Sequence, residues 1–129
     1  MNAGSGGTPP APLPCDAILY RLLTKALWID PDGGVAPAAF YRRHDEEGMS
    51  VFIVAVCSLE EAKTLLNKVR GIATLHTGRV RDLGLDVVPD PVDMRHAEIV
   101  GVPLRDDDEG LATYYADLLA EQARVVWKR

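Results

Sequence analysis

The chain is poor in the residues that build covalent or metal-centred scaffolds. Its 129 residues include two cysteines, Cys15 and Cys57, and three histidines. Two thiols cannot form a disulfide framework and suit a reducing compartment, so a cytoplasmic protein is expected. Aromatics make up only 6% of the chain, and basic residues are outnumbered 14 to 19, for a net charge of -5. Phosphate tracking needs a dense basic face, so this balance argues against nucleic acid as partner. No uncharged stretch of the folded part approaches the roughly 20 apolar residues that span a bilayer, and no membrane association is expected. Neither the P-loop pattern nor GxGxxG occurs, which removes the common Gly-rich phosphate cradles.

Residues 1–14 hold three glycines, four prolines and no charge. They lack the basic start and apolar centre of a signal peptide. Ordering such a stretch costs entropy without creating a packed face, so a flexible tail is expected, followed by a single α+β domain over 15–129. With 47% hydrophobic residues the remainder can bury a core.

Ala17 to Leu23 reads as a strand or a short helix, the strand favoured because the run is short and only Asp16 precedes it as a cap. Asp30-Pro31-Asp32-Gly33-Gly34 is a turn, because Pro presets φ and Gly supplies positive φ. Pro37 to Arg43 suits a single helical turn, and Asp45 to Gly48 a solvated loop. Ser50 to Cys57, apolar at both parities, predicts a central strand covered on both faces. Ser58 and Glu61 form a capping box that opens a helix running to Val69, with Gly71 as its stop. Further strands are expected over Ile72–Thr77, Leu85–Val88, His96–Val102 and Arg124–Trp127. A last helix starts at the acidic run Asp106–Glu109, with a seam of Leu111, Tyr114, Tyr115, Leu118, Leu119 and Gln122. The expected architecture is a mixed sheet of five or six short strands with two main helices packed on it.

Chemistry-bearing residues are scattered. His96 and Glu98 lie two apart on a strand and therefore share a face, which suits a proton relay. A metal would need a third ligand, for which only His76 offers itself, and none is expected. Arg43, Arg79 and Arg81, with His96, are the candidate binding residues, since guanidinium groups pair with carboxylates and phosphates. A nucleic-acid site would require Arg42, Arg43, Arg79 and Arg81 to converge. Trp28, Tyr41 and Trp127 offer aromatic contact surface. Cys57, at the end of an apolar strand, reads as a small core residue.

Two resemblances accompany this reading. Arg21, Ser50 and Glu98, a basic residue on the first strand, a hydroxyl heading a middle strand and a late glutamate, resemble the Arg-Ser-Glu constellation of ADP-ribosyltransferase-like enzymes. That likeness implies NAD as substrate, with Arg21 on its phosphate, Ser50 orienting the ribose and Glu98 stabilising an oxocarbenium-like transition state. Separately, the words Ala39-Phe40, Arg42-Arg43, Asp45, Met49-Ser50-Val51, Leu83-Gly84-Leu85, Asp90-Pro91 and His96-Ala97-Glu98-Ile99 resemble a small uncharacterised family of bacterial domains, over residues 18 to 102. That resemblance implies a compact bacterial domain and carries no activity across. The expected function is a protein-interaction module, part of a conflict or regulatory system, that docks a protein partner or a second copy and needs no cofactor. The alternative is a small enzyme acting on a nucleotide or NAD.

Overall fold

The computed structural model describes residues 10–129, so residues 1–9 of the expected tail lie outside it. Six strands form one sheet: β1 (Ile18–Leu23), β2 (Met49–Ile53), β3 (Gly71–His76), β4 (Asp86–Pro89), β5 (His96–Val100) and β6 (Arg124–Lys128), in the order β4-β5-β2-β1-β3-β6. Three helices accompany them: α1 (Leu59–Ala62), α2 (Thr77–Asp82) and α3 (Glu109–Gln122). The α+β class and six short strands agree with the sequence. Every neighbouring pair is antiparallel, however, where mixed pairing was the expectation. Alternation of apolar and polar residues fixes which face a side chain takes and says nothing of strand direction.

Side-chain parity sorts the sheet into two faces. Leu19 and Leu23 of β1, Met49, Val51 and Ile53 of β2, Ala73 and Leu75 of β3, and Ala97 and Ile99 of β5 share the larger core with Phe40, Ala116 and Leu119. Tyr20, Leu22 and Ile72 point the other way and pack with Cys57, Ala62 and Val69, with Phe52 and Trp127 half-buried beside them. Cys57 is thus the core thiol expected, and burial pushes its pKa up. β1 is buried on both faces, whereas β2 ends at Ile53 and buries only its first-face residues; Val54–Val56 form a turn of 3-10 helix in place of further strand. The doubly covered strand is therefore the neighbour of the one expected.

The helix from Ser58 is far shorter than its periodicity suggests. Ser58 Oγ accepts from Glu61 N–H at 3.0 Å, as a cap should, yet α1 ends at Ala62. Thr64 Oγ1 donates to the Glu61 carbonyl at 2.8 Å, and Thr64 N–H bonds that same carbonyl, a tightened turn that competes with α-helical bonding. The chain must then place Val69 in the core and Arg70 N–H on the Leu23 carbonyl before β3. In α3 the inward stripe is Ala112, Ala116 and Leu119, while Leu111 and Tyr114 of the expected seam are exposed. The two alanines let the helix pack closely on the 3-10 turn Pro37–Phe40, an approach the bulkier seam would prevent.

Before β1, Leu13 packs against the core and its carbonyl accepts from Arg81 Nη1 at 2.7 Å. No helix among the described residues is long and apolar enough to cross a membrane.

Candidate functional site

β1 and β2 pair only at Leu19–Ile53 and Tyr20–Phe52. One residue further along β1, Arg21 shares the parity of Leu19 and Leu23, so its side chain enters the first face. There Nε and Nη2 donate to the Ala39 carbonyl at 3.1 and 2.7 Å, and Nη1 donates to the Ser50 carbonyl at 2.9 Å. The guanidinium lies near the rings of Trp28 and Phe40, with centroids at 5.7 and 5.8 Å. Burial lowers its pKa to about 10, so it remains charged at neutral pH. Arg21 is in effect a cross-brace that continues the β1–β2 connection where the ladder stops.

This brace forms the floor of a cleft of about 750 Å³, lined by Arg21, Lys25, Trp28, Tyr41, Arg42, Arg43, His44 and Arg105, with Asp106 and Glu109 among its wall residues. The volume lies within the range of ligand-binding clefts. Arg42 is held by its own bonds to the Val102 and Glu46 carbonyls, at 3.0 and 2.8 Å. Arg105 lies over the Tyr41 ring, 4.4 Å from its centroid, and reaches Glu109 only at 3.7 Å. The Tyr41 hydroxyl is anchored to Thr113 Oγ1 at 3.1 Å, and His44 meets Asp106 at 3.2 Å. Lys25 and Arg43 are exposed, and their side chains make no hydrogen bond or ion pair among the described residues. Five permanent cations thus converge beside two carboxylates in a chain whose net charge is -5.

The residues singled out in the sequence distribute unevenly over this geometry. Arg21 and Arg43 are both in the cleft. Arg79 and Arg81 sit on α2 and do not line it; Arg81 is tied to Asp86 at 3.0 Å and to the N-terminal segment. The four arginines therefore form no common patch there. Ser50 and Glu98 are direct cross-strand partners, and their side chains point to the face opposite Arg21. Arg21 touches Ser50 through its backbone carbonyl alone, so the Arg-Ser-Glu constellation is not assembled on one face, and the phosphate and ribose roles have no common ligand space. His76 on β3 is separated from His96 on β5 by two intervening strands.

His96 does share its face with Glu98, yet its partners are others. Nδ1 lies 2.8 Å from Asp90 Oδ2, and Nε2 lies 3.0 Å from Ser50 Oγ. Asp90, directly after β4 in the β4–β5 hairpin, enters the sequence reading only within the Asp90-Pro91 word, with no chemical role attached. Its six-residue separation from His96 acquires meaning only once Asp90 N–H bonds the His96 carbonyl at 3.0 Å and closes the hairpin. Lys25 and Arg105 were missed for a similar reason: they come from segments 80 residues apart in sequence, and no local pattern joins them. No family model, curated protein or solved structure matches the chain, so its likenesses in short words assign it to no family, and the site stands on its own geometry.

Proposed function

We propose that the protein is an interaction module whose basic cleft receives an acidic segment of a protein partner. The observation that carries this reading is the gathering of Arg21, Lys25, Arg42, Arg43 and Arg105 in one cleft of an acidic chain. Like charges held this close repel one another, and an incoming anion relieves that repulsion. Two of the cations, Lys25 and Arg43, are free to pair with it. Guanidinium groups present donors in a fork that fits a carboxylate, and such charge-assisted bonds are stronger than neutral ones.

The aromatic walls favour a peptide over a nucleotide. Trp28 already carries Arg21 and Lys25 near its ring and Tyr41 carries Arg105, so their faces are engaged by cations. Leu27, 87% exposed beside Trp28, adds an apolar contact that a protein segment can use. A labelled Glu-rich peptide bearing one leucine tests the reading by fluorescence anisotropy. It should bind in preference to its Gln counterpart, and Arg43→Glu or Lys25→Glu should abolish the difference. Equal binding of both peptides, or indifference to charge reversal in folded variants, overturns it.

A further inference from the structure

On the other face of the sheet a second constellation stands apart from the cleft. Ser50 on β2 and His96 on β5 are diagonal neighbours on that face, because Ser50 pairs with Glu98 and Phe52 with His96. The Asp90 carboxylate is fixed by two backbone donors, with Oδ1 accepting from Val92 N–H at 2.8 Å and Asp93 N–H at 3.3 Å. Its other oxygen meets His96 Nδ1. The Phe52 ring lies against the imidazole, with centroids 5.3 Å apart.

This arrangement settles where the protons sit. The Val92 N–H, and after it His96, holds the Asp90 carboxyl below the usual carboxylate range, so at neutral pH it only accepts. Nδ1 must then carry the hydrogen. In the neutral imidazole Nε2 is left bare, and the hydroxyl 3.0 Å away must donate to it. The chain of bonds therefore runs from Ser50 Oγ–H to His96 and from His96 to Asp90, polarising the hydroxyl toward loss of its proton. A serine, a base on it and a carboxylate orienting that base are the three parts of an activated nucleophile.

We propose that Ser50 is a catalytic nucleophile, with His96 as its general base and Asp90 as a positioning residue, acting on uncharged or cationic acyl esters. Ser50 Oγ attacks the acyl carbon while its proton passes to His96 Nε2. The same proton then goes to the departing alkoxide, giving a free alcohol and an acyl-serine. Water then attacks the acyl carbon, losing a proton to Nε2; as the bond to Ser50 Oγ breaks, that proton passes to Oγ, releasing the carboxylic acid and restoring the hydroxyl. The charge restriction comes from Glu98, directly opposite Ser50 on the same face, which repels an anionic substrate.

A neutral alkyl fluorophosphonate tests the assignment on the full chain, since Ser50 Oγ forms the bond to phosphorus as fluoride leaves. Peptide mapping should place the adduct on Ser50, and the labelling rate should depend on pH, as general-base catalysis requires. Ser50→Ala should remove the adduct. His96→Ala should slow labelling by about 100-fold or more, the lower range of general-base contributions. His96→Gln, closer in size, serves if alanine disturbs folding, with circular dichroism as the check. Asp90→Asn should slow labelling and alter the pH profile, which a merely structural role would not do. A probe carrying a carboxylate should react more slowly than the neutral one, a difference that Glu98→Gln reduces. Absence of an adduct on Ser50, or labelling of Ser50 at an unchanged rate in a folded His96 variant, overturns the proposal. Equal rates for the two probes overturn its substrate class.

Discussion

Arg21 continues a sheet connection with a side chain. Its three bonds satisfy the Ala39 and Ser50 carbonyls where the β1–β2 ladder has ended. Arg21→Leu would keep much of the volume and remove every donor. An acceptor stranded without a partner costs about 1–3 kcal/mol when buried, so a loss near 2–4 kcal/mol is expected in urea unfolding. Arg21→Lys should recover only part of it, because a single ammonium cannot reproduce the planar fork that reaches both carbonyls. The place of Arg21 on the first strand was legible in the sequence. What it bonds was not, because Ala39 and Ser50 arrive from distant segments. Asp86, Asp90 and Asp93 give a second prediction at this scale. The Arg81 side chain on Asp86, the Val92 N–H on Asp90 and the Arg95 side chain on Asp93 all lower those pKa values. Folded pKa values below the unfolded ones mean the unfolded chain binds more protons in acid. The stabilisation is present above about pH 4, the ordinary carboxylate value, and is lost as pH falls through the depressed values. Urea midpoints should therefore drop between pH 6 and pH 3, less steeply in Asp93→Asn.

At the scale of elements, caps and close approaches matter more than periodicity. By sequence, Ser58 and Glu61 form a capping box. Ser58 does cap α1, but the Glu61 carboxylate reaches Arg95 at 2.6 Å. A periodic stripe therefore predicted a long helix where the chain makes one turn and departs. α3 behaves differently because its cap and length agree: Asp108 Oδ1 accepts from Leu111 N–H at 3.0 Å. Asp108→Ala should cost about 1 kcal/mol, the usual value of an N-cap, read from thermal or urea unfolding. Gly48 enters β2 so close to β5 that an added Cβ would sit 2.7 Å from the Ile99 carbonyl oxygen and 3.0 Å from the Glu98 Cβ. Neither the backbone nor a Cβ can turn aside, so Gly48→Ala should destabilise by about 1–3 kcal/mol, the range of overpacked sites. Since Glu98 neighbours the His96 network, the same variant should also disturb any chemistry at Ser50.

For the molecule as a whole, the main electrostatic feature is a basic cleft within an acidic chain. Composition could not reveal it, because net charge averages over a surface on which position decides. On the proposed function, the excess of acids would repel an acidic partner at long range, and the cleft would attract it only on close approach. Two consequences separate this arrangement from a uniformly basic binder. Association should gain little from steering, since the distant field opposes it, and affinity should reside mainly in slow dissociation. Added salt should still weaken binding, because the screening length falls from about 10 Å at 0.1 M to about 3 Å at 1 M. Between 0.05 and 0.5 M salt the Glu-rich peptide should lose at least about tenfold in affinity, chiefly through faster dissociation. Arg43→Gln should flatten that dependence, since it removes one of the two cations left free in the cleft. Lys68→Gln, exposed on the segment before β3 and outside the cleft, should leave the dependence unchanged. Equal flattening by both variants would mean that the peptide senses the surface at large, and that the cleft does not select it.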